Sequence, residues 1–308
     1  MTPYKSFAVA GAGKIGTFVI EALLAQNAHV VVLTRGVTPK TFPTGAAAEV
    51  VDYASRASIA AALTKHGVEV FVSTMGHGGF EAQAFIAVAA KEAGVRLFVP
   101  SEFGMSTVGV TEGVLAVKDA FAGHLKSIGL PSARFFVSPA FMKKEQTGYF
   151  GGEAKWLTGY DVNGKVNIVG SGTKPISFTA EEDIGGNGNT SLFCTIRPTL
   201  KRPYSGFLAY VLTSLEPSEL HDKRFRLQGD RKTFLQLAEL FKAETVFVDT
   251  MPGPSSEYTT ILHKFIERGM GSTGWDYAAG KEGEEAAGST NQLWPGHQWK
   301  SIKEIHGL

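Results

Sequence analysis

The 308-residue chain is long enough for one large α/β domain, or for a large domain with a smaller partner. Its 30 Lys and Arg residues nearly balance 29 Asp and Glu residues, so the net charge of +1 offers no basic excess to attract nucleic acid. The single cysteine, Cys194, cannot form an internal disulfide, and no apolar run approaches the roughly 18–20 residues that cross a bilayer. We therefore expect a cytoplasmic protein.

Apolar runs of strand length alternate with helical periodicity over the first 140 residues or so. Strands are predicted at 7–10, 29–33, 47–51, 68–73, 95–99 and 133–138. Helices are predicted at 17–26, 55–66, about 80–93 and about 113–127. The alternation predicts an α/β fold of the Rossmann type, with a doubly wound parallel sheet whose ligands gather at the carboxyl ends of the strands.

The alternation loosens beyond residue 140, where aromatic residues and glycines mix. The pair Asn163-Gly164 predicts a hairpin-like turn, and residues 175–183 predict a strand that returns to the larger domain. Later helices are predicted at 233–242 and 258–268. We expect a Rossmann domain at 1–150, with a returning segment near 175–190, and a smaller, interleaved domain at 151–308 that covers the substrate.

The loop after the first strand carries Gly11, Gly13 and Gly16 in G-x-G-x-x-G spacing, directly before a predicted helix. In a dinucleotide-binding loop the first glycine permits the tight turn, the second lets the backbone approach the pyrophosphate, and the third packs helix against strand. The helix start offers free N–H groups and a positive dipole end to the phosphates. The alternative is an ordinary strand-to-helix turn.

The tip of the second strand holds a cation where NAD-preferring proteins usually place an acid. Arg35 lies nineteen residues beyond Gly16, and Lys40 follows five residues later. Cations at this tip suit a 2′-phosphate, so the expected cofactor is NADP(H). The alternative is that Arg35 is a solvated charge.

Several other chemistries lack their motifs. The chain has neither a G-x-S-x-G elbow nor a P-loop, because Ile15 follows Lys14 where a P-loop needs Ser or Thr. His77 and Glu81 could share a helix face, but a loop histidine near the pocket mouth is the favoured interpretation, so no metal is expected.

A lysine stands on the helix where short-chain dehydrogenases carry a Y-x-x-x-K motif. Lys118 occupies that helix, but the residue four positions earlier is Val114 instead of tyrosine. Tyrosine-based acid catalysis is therefore missing from this position while the lysine remains. From spacing alone, Lys118 either points into a cleft or is a solvated helix lysine.

The chain resembles the isoflavone reductase and phenylcoumaran benzylic ether reductase group of the NmrA-like, atypical short-chain dehydrogenases. The P-S-E-F-G segment at 100–104, followed by an isolated lysine, is the most specific part of the resemblance. Further similar segments are the glycine loop, 32–35, 72–76, 96–99, 117–118, 181–185, 292–295 and 302–305. They span nearly the whole chain in the family's order.

The resemblance implies an NADPH-dependent reductase with a lone catalytic lysine, Lys118, beside the nicotinamide ribose and the substrate oxygen. It implies that Arg35 and Lys40 hold the 2′-phosphate. The remaining implied cofactor-binding residues are those of the glycine loop and of the fourth strand's tip: Gly11, Ala12, Gly13, Lys14, Ile15, Gly16, Thr74, Met75 and Gly76.

Departures from the family pattern cluster near the expected substrate site. Lys14 stands where an aromatic residue is common, Pro139 replaces a usual asparagine, and the segment from Gly104 to Lys118 is several residues shorter than in the plant enzymes. The loop also lacks the plant enzymes' G-x-x-G-x-x-G pattern, because Ala10 precedes Gly11. A plant phenylpropanoid substrate is therefore not carried over.

An apolar substrate pocket is expected, which suits an aryl or enone compound. Its predicted lining is Met75, His77, Phe103, Phe141, Met142 and Phe150. The alternative is that these residues form a plain interdomain core.

A rival function is a non-enzymatic NmrA-like redox sensor that acts through a protein partner, although such regulators generally lack the lysine. A quinone or aldehyde reductase differs only in substrate, and a monomer and a homodimer remain equally open.

Overall fold

The computed structural model describes residues 2–36, 41–76, 79–113, 115–137, 140–142, 157–180, 183, 206–283 and 286–306. The chain forms two compact units, each assembled from three segments. The first unit comprises Met1–Glu102, Val110–Phe135 and Glu182–Arg224. The second comprises Phe103–Gly109, Phe136–Glu181 and Phe225–Leu308. Among the described residues, no helix is both long and apolar enough to cross a membrane.

Short strands and helices account for both units. The strands are β1 (Ser6–Ala10), β2 (His29–Thr34), β3 (Ala47–Val50), β4 (Val70–Ser73), β5 (Leu97–Val99), β6 (Ala133–Phe136), β7 (Ala140–Met142), β8 (Val166–Ile168), β9 (Ile176–Ala180), β10 (Lys223–Arg226), β11 (Asp230–Lys232), β12 (Thr245–Phe247), β13 (Trp275–Asp276) and β14 (Lys281–Glu282). The helices are α1 (Lys14–Ala25), α2 (Arg56–Lys65), α3 (Phe80–Glu92), α4 (Ala116–Ser127), α5 (Tyr160–Asn163), α6 (Phe207–Ser214), α7 (Pro217–Leu220), α8 (Phe234–Phe241), α9 (Ser256–Phe265) and α10 (Ile302–His306). A π-helical turn (Ile266–Met270) extends α9, and a 3₁₀ turn spans Asn291–Leu293.

A parallel five-stranded sheet forms the centre of the first unit, with strand order β3-β2-β1-β4-β5. A parallel bridge between Phe98 of β5 and Ser132, the residue before β6, continues the pairing beyond β5. The strand order reverses between β1 and β4, which is the switch point where ligands bind in doubly wound sheets. This topology confirms the predicted Rossmann-type α/β fold.

The strands of the first unit form because they can be buried on both faces. All residues of β4 and β5 are buried, and so are the four central residues of β2, as expected for parallel strands covered by helices. The rings of Phe71 and Phe98 stack with centroids 4.9 Å apart, and Phe121 of α4 meets Phe98 edge-on at 5.6 Å. This packing fixes α4 against the sheet, and with it the position of Lys118.

The second unit contains smaller sheets. β9 pairs in parallel with β7 and antiparallel with β11, β8 pairs in parallel with β12, and β13 pairs antiparallel with β14. Ile176 and Phe178 of β9 are fully buried in a core that α8 closes with Phe234 and Leu237. Thr233 caps α8, accepting a hydrogen bond from the backbone N–H of Gln236 at 3.1 Å.

Two sequence predictions in this unit need correction. Asn163-Gly164 does not turn a hairpin: Asn163 ends α5, Gly164 takes the left-handed C-cap conformation with φ 69°, and β8 pairs with the distant β12. The same dipeptide serves both purposes, because each needs positive φ. The strand predicted at 175–183 exists as β9, but it pairs with β7 and β11 in the second unit, and the chain passes back to the first unit only after it, at Glu182.

Candidate functional site

Two glycines of the loop between β1 and α1 are required by close backbone packing. Gly11 has φ 95°, and a Cβ atom on it would lie 2.8 Å from the carbonyl carbon and oxygen of Thr74. A Cβ atom on Gly16 would lie 2.1 Å from the carbonyl oxygen of Gly11 and 2.6 Å from Oγ1 of Thr74. Real Cβ atoms do not approach so closely, so a side chain at either position would force the neighbouring backbone to shift.

Thr74, at the tip of β4, holds the loop in this shape. Its backbone N–H donates to the carbonyl oxygen of Ala10 at 2.8 Å. Its hydroxyl donates to the carbonyl oxygens of Ala10 at 3.1 Å and Gly11 at 2.5 Å. The loop is therefore tied to the neighbouring strand as well as to its own helix.

Gly13 differs from these two glycines, because the space beside it is open and a Cβ atom there would meet nothing within 4 Å. It is exposed and is the N-cap of α1, where it offers no capping side chain, and the first turn carries no acidic residue. Helix N-termini of this kind attract anions through their free N–H groups and dipole. Open space beside a bare N-cap fits a dinucleotide pyrophosphate.

Arg35 lies directly after β2, exposed, and makes no ion pair with any residue that the structure describes. It lies near Tyr53, whose hydroxyl donates to the carbonyl oxygen of Leu33 at 3.0 Å. Burial raises the pKa of Tyr53 to about 12, while the positive charge of Arg35 acts in the opposite direction. The tip of β2 thus presents an exposed cation, and Lys40 lies outside the described residues.

Lys118 lies in the first turn of α4 and is partly buried. Its Nζ donates to the backbone carbonyl oxygen of Glu102 at 2.8 Å and lies 4.9 Å from the ring centroid of Phe80. Burial lowers the pKa of Lys118; the Glu102 carboxylate opposes that shift, and Arg134 adds to it. The side chain is therefore held in place and is not a freely solvated helix lysine.

Hydrogen bonds connect the glycine loop to Lys118 along the carboxyl ends of β1, β4 and β5. Thr74 contacts Gly11, and the next residue, Met75, offers its carbonyl oxygen to the hydroxyl of Ser101 at 2.7 Å. Ser101 precedes Glu102, whose carbonyl oxygen accepts the hydrogen bond from Lys118. The backbone N–H of Ser101 also donates to Oε1 of the buried Gln83 at 3.0 Å.

A buried ion-pair network that sequence reasoning missed lies beside Lys118. Arg134 of β6 donates from Nε to Oε1 of Glu102 at 2.8 Å and from a terminal nitrogen to Oδ1 of Asp119 at 2.9 Å. Arg134 and Glu102 are 6% and 3% exposed. The available signal was a single charge inside the apolar run Ala133–Phe136, because a charge on a buried strand requires a partner.

The predicted substrate-pocket residues fall in both units. Met75 is in the first unit, whereas Phe103 is in the second, buried and with φ 34°, an uncommon backbone conformation for a residue other than glycine. β7 carries Phe141 and Met142 in the second unit. His77 and Phe150 lie outside the described residues, so the pocket stays a prediction.

The chain belongs to the NmrA-like family. The family model of that description matches residues 5–185, more than half of the 308-residue chain. This confirms the resemblance drawn from the P-S-E-F-G segment and the glycine loop.

Two curated relatives and one solved structure illustrate what the chain is similar to. Phenylcoumaran benzylic ether reductase Pyrc5 of Pyrus communis is 30% identical over 201 residues, covering 58% of this chain and 60% of the relative. An isoflavone reductase homolog of Solanum tuberosum is 30% identical over 198 residues, again covering 58% and 60%. The matched region thus spans about 60% of the length of these relatives.

The solved structure is the binary complex of leucoanthocyanidin reductase from Vitis vinifera with NADPH. It superposes with a TM-score of 0.68 at 17% sequence identity and covers 98% of each chain. At that identity the similarity establishes the fold. The agreement extends over nearly the full length of both proteins, including the half of this chain where sequence periodicity was weak.

Proposed function

We propose that this protein is an NADPH-dependent oxidoreductase of the atypical short-chain dehydrogenase type. We propose further that it reduces a small hydrophobic, aromatic molecule and that Lys118 is its catalytic residue. The printed names of the curated relatives, an ether reductase and an isoflavone reductase homolog, support a reductase of aromatic substrates. The departures near the expected substrate site argue against a simple transfer of either substrate.

The observation that carries this proposal is the hydrogen-bonded row from the glycine loop to Lys118. It places a loop with the features of a pyrophosphate site and a partly buried lysine on the same edge of one sheet. Sheets of this topology bind their ligands at that edge. This shared edge supports the proposal that Lys118 acts on a ligand bound there.

The residues present fit NADP(H). The loop of Gly11, Gly13 and Gly16 with the N-terminus of α1 would hold the pyrophosphate, and Arg35 would hold the 2′-phosphate, with Lys40 as a predicted helper. Thr74, Met75 and Gly76 would border the cofactor at the tip of β4. When bound, NADPH supplies a hydride to an electrophilic carbon of the substrate.

Lys118 would donate a proton to the substrate oxygen. An ammonium with an ordinary pKa near 10.4 is protonated at neutral pH, and its acidity is too weak for efficient general acid catalysis. Burial lowers the pKa of Lys118, which makes the proton easier to release. The hydrogen bond to the Glu102 carbonyl oxygen at 2.8 Å keeps the nitrogen in one place while leaving two further N–H donors.

The test is NADPH oxidation at 340 nm against a panel of benzylic aryl ethers, enones, quinones and aryl aldehydes. Lys118→Met removes the charge but keeps the chain length, and Lys126→Met makes the same change at an exposed lysine near the end of the same helix. We expect Lys118→Met to lower kcat by about 10²–10⁴-fold while NADPH still binds, and Lys126→Met to match the wild type.

Unchanged turnover in Lys118→Met would refute the catalytic role. No turnover with any panel member, combined with tight and NADP(H)-selective binding, would contradict an aromatic-substrate reductase. It would favour the redox-sensor alternative, and affinity capture of a protein partner would then be the next measurement.

A further inference from the structure

A buried arginine links the two segments that determine where Lys118 lies. Arg134 contacts Glu102, which follows β5, and Asp119, which follows Lys118 in α4. The side chain of Arg134 is 7% exposed and that of Glu102 is 1% exposed. Buried ion pairs of this kind contribute little net stability, since desolvation of both charges offsets most of their attraction. Net stability alone therefore does not explain the presence of this ion pair.

Glu102 engages both basic residues at once, through different groups. Its carboxylate accepts from Arg134, and its backbone carbonyl oxygen accepts from Nζ of Lys118 at 2.8 Å. Fixing the carboxylate restricts rotation of the residue and hence the direction of its carbonyl. The second contact of Arg134, with Asp119 at 2.9 Å, fixes the helical turn from which Lys118 projects.

We propose that Arg134 is a positioning residue, which holds Lys118 at the carboxyl edge of the sheet through Glu102 and Asp119. The catalytic consequence of this inference rests on the proposed function. The placement of Lys118 does not, because it can be measured in the free protein without cofactor or substrate.

The charges around Lys118 affect the reactivity of its amine, which can be measured. Among the described residues, the charged groups next to it are Glu102 after β5, Arg134 on β6 and Asp119 on its own helix, while α3 presents the uncharged ring of Phe80. Glu102 favours the ammonium form and Arg134 disfavours it. Loss of the Arg134 charge alone would therefore lower the reactivity of the Lys118 amine, whereas release of Lys118 from its position would raise it.

The experiment is trace acetylation of the free protein with acetic anhydride at pH 8, quantified by mass spectrometry, with exposed Lys126 of the same helix as internal reference. Because only the neutral amine reacts, we expect Glu102→Gln to raise the labelling of Lys118 relative to Lys126 by about threefold. We expect Arg134→Met to raise it by about threefold as well, because Lys118 is then released from the Glu102 carbonyl oxygen, whereas loss of the Arg134 charge alone would lower it. Asp119→Asn, which keeps an acceptor for Arg134, should stay within about twofold of the wild type.

A kinetic split provides the second readout. Arg134→Lys keeps the charge, but one ammonium cannot reproduce the planar fork that reaches Glu102 and Asp119 together. We expect its kcat to fall by about tenfold while KM and the NADPH Kd stay unchanged. This variant also keeps the inference testable if Arg134→Met does not fold.

Equal labelling of Lys118 in Glu102→Gln and wild type, with Arg134→Lys fully active, would overturn the positioning role. Lowered labelling in Arg134→Met would also overturn it, because it would mean that Arg134 acts on Lys118 only through its charge. If the wild type reduces nothing in the panel, the proposed function fails, and the labelling result still decides whether Arg134 positions Lys118.

Discussion

His263 is a fully buried histidine whose two hydrogen bonds assign it a single neutral form. The backbone N–H of Val169 donates to Nδ1 at 3.2 Å, so Nδ1 must be an acceptor and the proton lies on Nε2, 2.6 Å from the carbonyl oxygen of Leu157. The ring stacks on Phe234 with centroids 4.1 Å apart. Protonating Nδ1 would place its N–H opposite the backbone N–H of Val169, so that two donors face each other in a site without water access.

The cost of that protonation makes the free energy of unfolding depend on pH. Burial lowers the pKa of His263 from 6.5 to about 4, and the hydrogen bond to Leu157 opposes this shift only in part. Between those two pH values the unfolded chain binds a proton that the folded protein does not. The free energy of unfolding is therefore unaffected above pH 6.5 and decreases as the pH falls, by about 2.5 kcal/mol between pH 8 and pH 4.5.

His263→Phe tests this term because it keeps an aromatic ring against Phe234 and has nothing to titrate. At pH 8 the variant should be less stable by about 2–4 kcal/mol, since the Val169 N–H and Leu157 carbonyl groups lose their partners. That deficit should shrink toward zero by pH 4.5. Urea unfolding followed by tryptophan fluorescence at several pH values measures the difference, in which groups that titrate in both proteins cancel.

A deficit that stays constant from pH 8 to pH 4.5 would refute the reasoning, because it would mean that His263 can be protonated without cost in the folded protein. A deficit that grows at low pH would refute it as well, since the sign of the linkage would be reversed.

Three further predictions concern the cofactor site. Gly13→Ala should leave the free energy of unfolding within about 0.5 kcal/mol of the wild type but weaken NADPH binding at least about tenfold. Gly16→Ala should weaken NADPH binding and also lower the free energy of unfolding by about 1–3 kcal/mol. If Gly13→Ala binds NADPH as tightly as the wild type, no pyrophosphate lies beside Gly13. Arg35→Ala should weaken NADPH binding about 10–100-fold and leave NADH binding unchanged in fluorescence titrations, and equal losses for both would contradict the 2′-phosphate role. Thr74→Val should lower the free energy of unfolding by about 1–2 kcal/mol in urea melts, because the hydroxyl's bonds to the loop carbonyls are lost, and a neutral result would show that the loop keeps its shape without them.

The first half of the fold was predictable because its signals are local. A parallel strand buried on both faces requires an uninterrupted apolar run, such as Val30 to Leu33, and a helix that follows a tight turn requires glycines at fixed spacing. Gly11 and Gly16 are both set by backbone contacts within one strand-loop-helix unit and the neighbouring Thr74. Such constraints leave a readable pattern in the sequence.

The features that sequence reasoning missed depend on partners far along the chain. Arg134 lies 32 residues from Glu102 and 15 from Asp119, so no spacing rule connects the three. Asn163-Gly164 ends a helix because the partner of β8 is at 245–247, a pairing that the dipeptide itself cannot reveal. Likewise β9 has an ordinary strand pattern, and only its neighbours β7 and β11 decide which sheet it joins.

The interleaving of the two units has a consequence for synthesis and for truncation. The first unit is not complete until residue 224 has been made, because its last segment carries α6, which packs against α1 from the beginning of the chain. The growing chain must hold the apolar side of α1 uncovered while about 200 residues emerge, a situation that favours chaperone binding. A fragment that stops near residue 150 would carry the whole parallel sheet, yet we expect it to aggregate because α1 has lost its covering helix.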